Sequence, residues 1–316
     1  MARLQRRRSR AAVHAPVATA AKPKLLPTRV LLQFAIVTLI WGSTWLVIRT
    51  QLGVVPPSWS VAYRFLAAGA MMALFCLATR RRLKVPPAAH GFFLVMALFQ
   101  FILNFNFVYR AETYVTSGLV AVAFALLIVP NSIFAWLFLK QRITLRFAWG
   151  ASLGIGGVGL LFWQEFGAIG AGVGTGLLLT ILGVLSASVA NVMQASDRGR
   201  TLDIMVTLAW SMLYGGIGNA SIAWALSGPP VIEPTPLYVG GVLYLAAAAS
   251  AFAFAIYFDM IRAIGPARAA YSSVVIPFIA MALSTVFEGY RWSATAFGGG
   301  ALALAGLYIA LRARAR

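Results

Sequence analysis

The sequence predicts an all-α integral membrane protein with ten transmembrane helices, arranged as two inverted five-helix repeats. Three observations carry that expectation: the composition, the placement of charge, and a repeat of about half the chain. Of 316 residues, 61% are hydrophobic and 10% charged, whereas soluble proteins run at roughly 45–50% apolar and about 25% charged. The apolar residues fall into ten blocks of about 18–26 residues, and a bilayer core of roughly 30 Å needs about 20 helical residues at about 1.5 Å each. Blocks apolar on every side are not surface helices of a soluble domain. Lipid offers no partner for open backbone groups, so only helices or closed barrels span it. A barrel would show segments of about ten residues with alternating polarity, and that pattern is absent from the sequence.

Taken in order, the first block (30–50) carries Trp41-Gly42-Ser43-Thr44-Trp45, and the second (59–79) holds Arg64. The third (91–110) contains Asn104, Asn106 and Tyr109; the fourth (115–139) contains Pro130 followed by Asn131. A glycine run, Gly154-Ile155-Gly156-Gly157-Val158-Gly159, sits in the middle of the fifth (147–164). It satisfies the dinucleotide pattern literally, but that reading needs a preceding strand and a turn into a helix. Close approach of helix backbones through small residues accounts for it better. Gly150 and Gly154 suit either an internal packing face or the seam of a homodimer. The sixth block (173–194) contains Asn191, the seventh (204–226) Trp210, and the eighth (237–262) Asp259. The ninth (269–287) holds Tyr271, Ser272, Ser273 and Pro277 and closes on Glu288; the tenth (294–311) opens on Gly298-Gly299-Gly300.

The formal charge of +19 suggests a nucleic-acid partner until its distribution is read. Of 26 Lys and Arg, 22 lie in the ends and alternate loops, at 1–29, 80–84, 140–146, 198–200, 262–268 and 312–316. The intervening loops hold Arg49, Arg110 and Arg291, and Arg64 lies inside a block. That asymmetry follows the positive-inside rule and places both termini in the cytoplasm; no nucleic-acid partner is expected, and the bilayer is the surrounding phase. The arginine-rich tail 1–29 precedes no short apolar core with a cleavage site, so it is read as a disordered cytoplasmic segment, not a signal. Cys76 is the single cysteine, and His14 and His90 are remote from each other, so no disulfide, metal centre or cofactor is expected.

Pro130 and Pro277 are 147 positions apart (277 − 130), and each lies eleven residues before a polar end, Gln141 and Glu288. At that offset Gly118 falls on Gly265, Ala123 on Ala270 and Ala135 on Ala282. A period near half the length means two copies of one unit, here 30–164 and 173–311, because solenoid repeats run about 20–50 residues. Five spans per copy is an odd number, so the second copy enters the membrane from the opposite side. In many membrane proteins such a pair encloses a binding site at the interface of the repeats.

Several motifs also resemble one family. Trp41-Gly42-Ser43-Thr44-Trp45 is similar to the opening helix of EamA-type transporters of the drug/metabolite transporter superfamily, and Arg64-Phe65-Leu66-Ala67-Ala68 to the start of their second. Ala111-Glu112-Thr113-Tyr114, with Ser117-Gly118 and Pro130, resembles the passage from their third to fourth helix, and Glu288 the glutamate that often closes their ninth. The resemblance covers about residues 30–311 and departs from the pattern at Gln141, where glutamate is usual. It implies a secondary transporter of the inner membrane that exports a small metabolite such as an amino acid by alternating access. A lipophilic-drug or nucleotide-sugar carrier is the alternative within that class; a membrane enzyme or a non-transporting scaffold is a competitor outside it. No nucleophile–base pair, paired carboxylate or Walker loop lies in the blocks, so an enzyme is not expected.

Candidate substrate-binding residues are Trp41, Ser43, Arg64, Asn104, Tyr109, Asn131, Asn191, Trp210, Tyr271 and Ser272. Arg64 either faces a central cavity, where a guanidinium takes a carboxylate in two-pronged fashion, or satisfies itself by snorkelling or on neighbouring carbonyls. The amides should face the bundle interior, as substrate contacts or, more commonly, as bridges between helices. Pro130 and Pro277 are expected to bend the cavity walls, because a helical proline frees a carbonyl. Asp259 and Glu288 are the candidates for ion coupling, although Asp259 three residues before Arg262 reads as a local ion pair.

Overall fold

The computed structural model describes residues 28–168, 172–270 and 272–312. The basic tail as far as residue 27, and Tyr271 with it, lie outside these. The long helices are α1 Thr28–Arg49, α2 Pro57–Ala78, α3 Pro87–Ala111, α4 Ser117–Leu139, α5 Leu145–Ala168, α6 Gly172–Ala195, α7 Ile204–Ser227, α8 Pro236–Ile264, α9 Ser272–Phe287 and α10 Ala294–Arg312. Short helices at Asp197–Thr201 and Pro266–Ala269 precede α7 and α9, and no strand occurs among the described residues. Six of the helices, α1 to α4, α6 and α8, are long and apolar enough to cross a membrane.

The helix starts follow local chemistry. Proline opens α2, α3 and α8, where its missing N–H costs nothing and its fixed φ suits the first turn. This is why α3 begins four residues before the apolar block. At α7, Asp203 Oδ1 accepts from the backbone N–H of Met205 (2.8 Å) and Val206 (3.2 Å), which satisfies donors no helix can satisfy for itself. Helix α4 stops at Lys140, whose φ of 56° is left-handed and turns the chain out of the helix.

Two irregularities recur at matching places. Helix α3 is wound as a π-helix over Ala97–Leu103, and α8 over Leu245–Phe252, starts that are 148 residues apart (245 − 97). π-turns are rare and concentrate at functional sites. Their recurrence five helices on is a second trace of duplication, one that residue identities do not reveal.

Packing shows the same order. Helix α2 lies against α7 and α5 against α10; α1 contacts α8 and α9, and α6 contacts α3 and α4. Replacing each helix by the one five places away maps this set of pairs onto itself. Glycines make the closest contacts. A Cβ on Gly157 would strike the backbone of Ala303, and one on Gly306 the backbone of Gly154 and the Gly150 carbonyl. The glycine run of α5 is therefore a seam within the chain, against α10, and Gly150 and Gly154 are spent on it. Between α2 and α7, a Cβ on Gly216 would lie 2.7 Å from the Leu66 nitrogen.

Asn106 is a bridge between helices. Its Nδ2 donates to Asn219 Oδ1 at 2.5 Å and its Oδ1 accepts from Ser58 Oγ at 2.7 Å, while Asn219 Nδ2 donates to the carbonyls of Phe101 and Gly215. A satisfied polar network of this kind ties α2, α3 and α7 in one register.

Candidate functional site

The π-wound and proline-bearing helices converge on a cavity of about 100 Å³. Its wall is built from α1, α2, α3 and α4 of the first copy and α6, α8 and α9 of the second. Most of that wall is aromatic or aliphatic: Trp41, Trp45, Phe105, Phe124, Phe254, Tyr257 and Ile276. The Trp41 indole meets the Phe254 and Tyr257 rings edge-on, with centroids 5.2 and 4.8 Å apart, and its Nε1 donates to the Ala249 carbonyl at 3.0 Å. That carbonyl belongs to the π-wound segment of α8, so the irregular turn fixes an aromatic side chain of the wall.

Arg64 is the charge of the cavity. It is 1% exposed, its Nε donates to Ser250 Oγ at 2.8 Å, and its guanidinium carbon lies 4.4 Å from the centre of the Phe105 ring. A desolvated contact of that kind contributes about 2 kcal/mol. Nη1 is buried with no hydrogen-bond partner, although removing an ion from water costs several kcal/mol unless its donors are met. Gln100 Oε1, Asn104 Oδ1 and Trp45 Nε1, on other parts of the same wall, are buried and unpartnered as well. An aromatic box thus presents two open donors, Arg64 Nη1 and Trp45 Nε1, and two open acceptors. Groups left so are met by a ligand of complementary polarity.

Of the residues singled out from sequence, Trp41, Arg64, Asn104, Asn191 and Ser272 line this cavity together. Ser43 faces α8, its hydroxyl 2.7 Å from that of Tyr244. Tyr109 is fully buried behind the wall and donates to Gln51 Oε1 at 3.0 Å. Asn131 is buried with both amide atoms unpartnered, outside the lining. Trp210 sits apart, donating to the Leu83 carbonyl at 2.9 Å with its ring 5.0 Å from that of His90. Pro130 follows a 3₁₀ turn at Ala125–Leu127, whose Ala125 and Leu127 form cavity wall, and Pro277 follows Ser273 and Ile276, which do the same.

The local pair Asp259–Arg262 does not form. Asp259 instead takes Arg29 and Gln33 of α1, each at 2.8 Å, and Arg262 donates to the Gly199 carbonyl at 2.7 Å and to Gln194 at 3.2 Å. Both bonds bridge segments distant in sequence, which helix spacing does not reveal. Glu288 accepts from Ser117 Oγ at 2.5 Å and lies 3.7 Å from Arg49 Nε, joining the ends of α9, α4 and α1. Sequence reasoning passed over Gln100 and Ser250. Gln100 was detectable as an amide inside an apolar block; Ser250, in an alanine-rich run, carried no signal.

Helices that enclose a largely apolar, partly polar cavity between two copies of one unit define a membrane protein of transporter type. Residues 28–163 and again 174–312 match the EamA-like transporter family, and the chain belongs to it. Relatives include Protein PagO of Salmonella typhimurium, 27% identical over 82% of this chain and 85% of that protein. The inner membrane transporter YedA of Escherichia coli K12, described as uncharacterized, is 30% identical over 79% of this chain and 80% of its own length. A solved crystal structure superposes with a TM-score of 0.66 at 18% identity, covering 90% of this chain and 97% of that one, a likeness of fold.

Proposed function

We propose that the chain is a secondary transporter of the inner membrane, with both termini cytoplasmic, that moves a small zwitterionic metabolite by alternating access. An amino acid carried outward is the reading that best suits the cavity and the family. One observation carries it: the unpartnered Arg64 Nη1 and the unpartnered oxygens of Gln100 and Asn104 share one aromatic box. A carboxylate answers the first, an ammonium the second, and an apolar side chain the rings. About 100 Å³ holds on the order of seven to ten waters at about 10–15 Å³ each, hence a molecule of about that many non-hydrogen atoms. That volume favours an amino acid over a nucleotide sugar, which has tens of them.

The ten-helix inverted repeat is part of the same reading. It is supported by the pairing pattern, by the matched π segments and by the charge asymmetry. In the transport cycle the two copies exchange which end of the cavity is closed. Contacts at each end have the right character to break and reform: Asp259 with Arg29 and Gln33 at one, Glu288 with Ser117 and Arg49 at the other.

The test is counterflow with purified protein in proteoliposomes, screened across amino acids. Arg64→Ala should abolish exchange of a carboxylate-bearing substrate while insertion is unchanged. Equal flux in the variant refutes the role, and no exchange of any small metabolite refutes the transport reading.

A further inference from the structure

At the end of the molecule opposite Asp259, four helix ends meet around two glutamates. Glu288 follows α9 and is held by Ser117 of α4 and Arg49 of α1. Glu112 directly follows α3 and is 0% exposed, with neither carboxylate oxygen hydrogen-bonded. The Arg49 guanidinium spans the two residues, approaching the Glu288 carboxylate through Nε and donating from Nη1 to the backbone carbonyl of Glu112. Thr116 Oγ1 and Ser284 Oγ, beside the same helix ends, are buried and unpartnered too. The cluster lies directly beyond the cavity. Ile48 precedes Arg49, Val108 is one turn before Glu112, and both line the wall.

We propose that Glu112 is a proton-binding site linked to closure of this end, so that opening toward the outside releases one proton and closing takes one up. The charges facing it are those of Glu288 from α9, Arg49 from α1 and Arg64 from α2, with the Tyr109 phenol one turn back on α3. Helix α6 approaches through Gly172 and Gly176, which lie against Tyr114 and Val115, and brings no titratable group of its own; from the start of α4 the neighbours are Ser117 and Thr116. Arg49 is shared with the Glu288 carboxylate and its side chain is 42% exposed, so neither oxygen of Glu112 has a cation bonded to it. A carboxylate without a hydrogen-bond donor is the form burial disfavours most, whereas the protonated acid is neutral.

Burial, reinforced by the charge of Glu288, holds the Glu112 carboxyl well above the usual carboxylate range. Opening the helix ends admits water and returns it toward the ordinary carboxylate range. The closed form therefore binds the proton more tightly, and by linkage acid outside favours closure while alkali favours opening. The proton passes between the Glu112 carboxyl and external water, with no other bond made or broken.

The proposal rests on the transport reading only in that this end must open. Its test follows the accessibility of the cavity, without substrate, in full-length protein reconstituted in vesicles. Ile48→Cys is placed in a Cys76→Ala background and labelled from outside with a membrane-impermeant maleimide. Its rate is divided by that of Ser227→Cys, an exposed position, to remove the pH dependence of the thiol itself. With Glu112 present the ratio should rise at least about fivefold between about pH 6 and about pH 8, within the tenfold per unit that one linked proton allows. Glu112→Gln, a permanent mimic of the protonated acid, should label slowly with no pH dependence, and Glu112→Asp should keep the rise.

A ratio flat in pH with Glu112 present, a rise that survives in Glu112→Gln, or a rise that follows sodium and not pH overturns the proton site alone. No labelling from either side at any pH overturns it together with alternating access.

Discussion

Replacing Arg64 by methionine separates function from stability. In the folded protein the guanidinium has a bond to Ser250, an interaction with the Tyr109 phenol, aromatic faces at Phe105 and Phe65, and one donor, Nη1, with no hydrogen-bond partner. A hydrogen bond to a charged group contributes about 1.5–3 kcal/mol, and the cation–π contact about 2 kcal/mol. Against these stands the cost of keeping the ion out of water, several kcal/mol before any ligand compensates it. The terms nearly cancel, so Arg64→Met, which fills a similar length with apolar atoms, should shift unfolding by less than about 2 kcal/mol in either direction. Ligand response should not survive. The native protein at a hundredfold excess over Kd gains about 2.7 kcal/mol, seen as a rise in Tm. The variant lacks the donor for a carboxylate and should show no rise and no counterflow. Arg64→Lys keeps the charge but not the fork that serves Ser250 and a ligand together, and should lose about tenfold to a hundredfold in affinity, or about 1.4–2.8 kcal/mol. The assay is a ligand-dependent thermal shift on detergent-purified protein with counterflow on the same samples. A substrate-induced shift that persists in Arg64→Met refutes the reasoning; so does a collapse of the apo protein, which would make Arg64 structural.

The other predictions concern the frame. Gly157→Leu should force α5 from α10, because its side chain meets the Ala303 backbone and the Gly299 carbonyl; overpacking of that kind costs about 1–3 kcal/mol or more, and thermal melts check it against the open position Gly156→Leu. Asp203→Ala should cost about 1 kcal/mol through loss of the α7 cap, whereas Arg81→Ala, which removes only the half-exposed Arg81–Asp203 pair, should cost less than about 1 kcal/mol; denaturation of the two variants side by side decides it. Asn219→Leu takes from Asn106 Nδ2 its bond across to α7, leaving it the Ile102 carbonyl of its own helix, and takes from the Phe101 carbonyl a side-chain donor; it should destabilise by about 1–3 kcal/mol, read as a lower Tm. External acid should slow labelling at Ile48→Cys only while Glu112 is present.

The membrane class, the helical blocks and the doubling of the chain were legible because each is written in properties local to the chain. An apolar run must be helical in lipid, and a proline opens a helix wherever it falls outside one. Helix ends were legible to a few residues, as at α3, where the chain carries weakly apolar residues after Pro87. Arg64 stood out because ionised side chains in apolar blocks are rare. Trp41, Asn104, Asn191 and Ser272 were found by the same logic of polar or amphiphilic groups in lipid-length helices. Trp210 passed that filter and yet lies against Leu83 and His90, since a helix has two ends and two faces and composition does not say which meets the cavity.

Sequence alone determined that this chain lives in a bilayer, that it is two copies of one unit, and that one cation lies inside an apolar block; whether that cation faced a cavity or snorkelled out of the bundle it left open. It reached that far because the cost of leaving polar groups in hydrocarbon acts residue by residue. Only the tertiary structure decided which of those groups face one another. Ser250 reaches Arg64 across 186 residues, Asp259 reaches Arg29 across 230, and Glu288 reaches Ser117 across 171. Helix crossings, π-turns and glycine seams set those meetings, and their geometry depends on all the helices packing at once. Glu112 shows the difference most sharply. In the sequence it is a loop acid just past a helix; in the fold it meets the ends of α1, α4 and α9 and its carboxylate is buried without a hydrogen-bond donor.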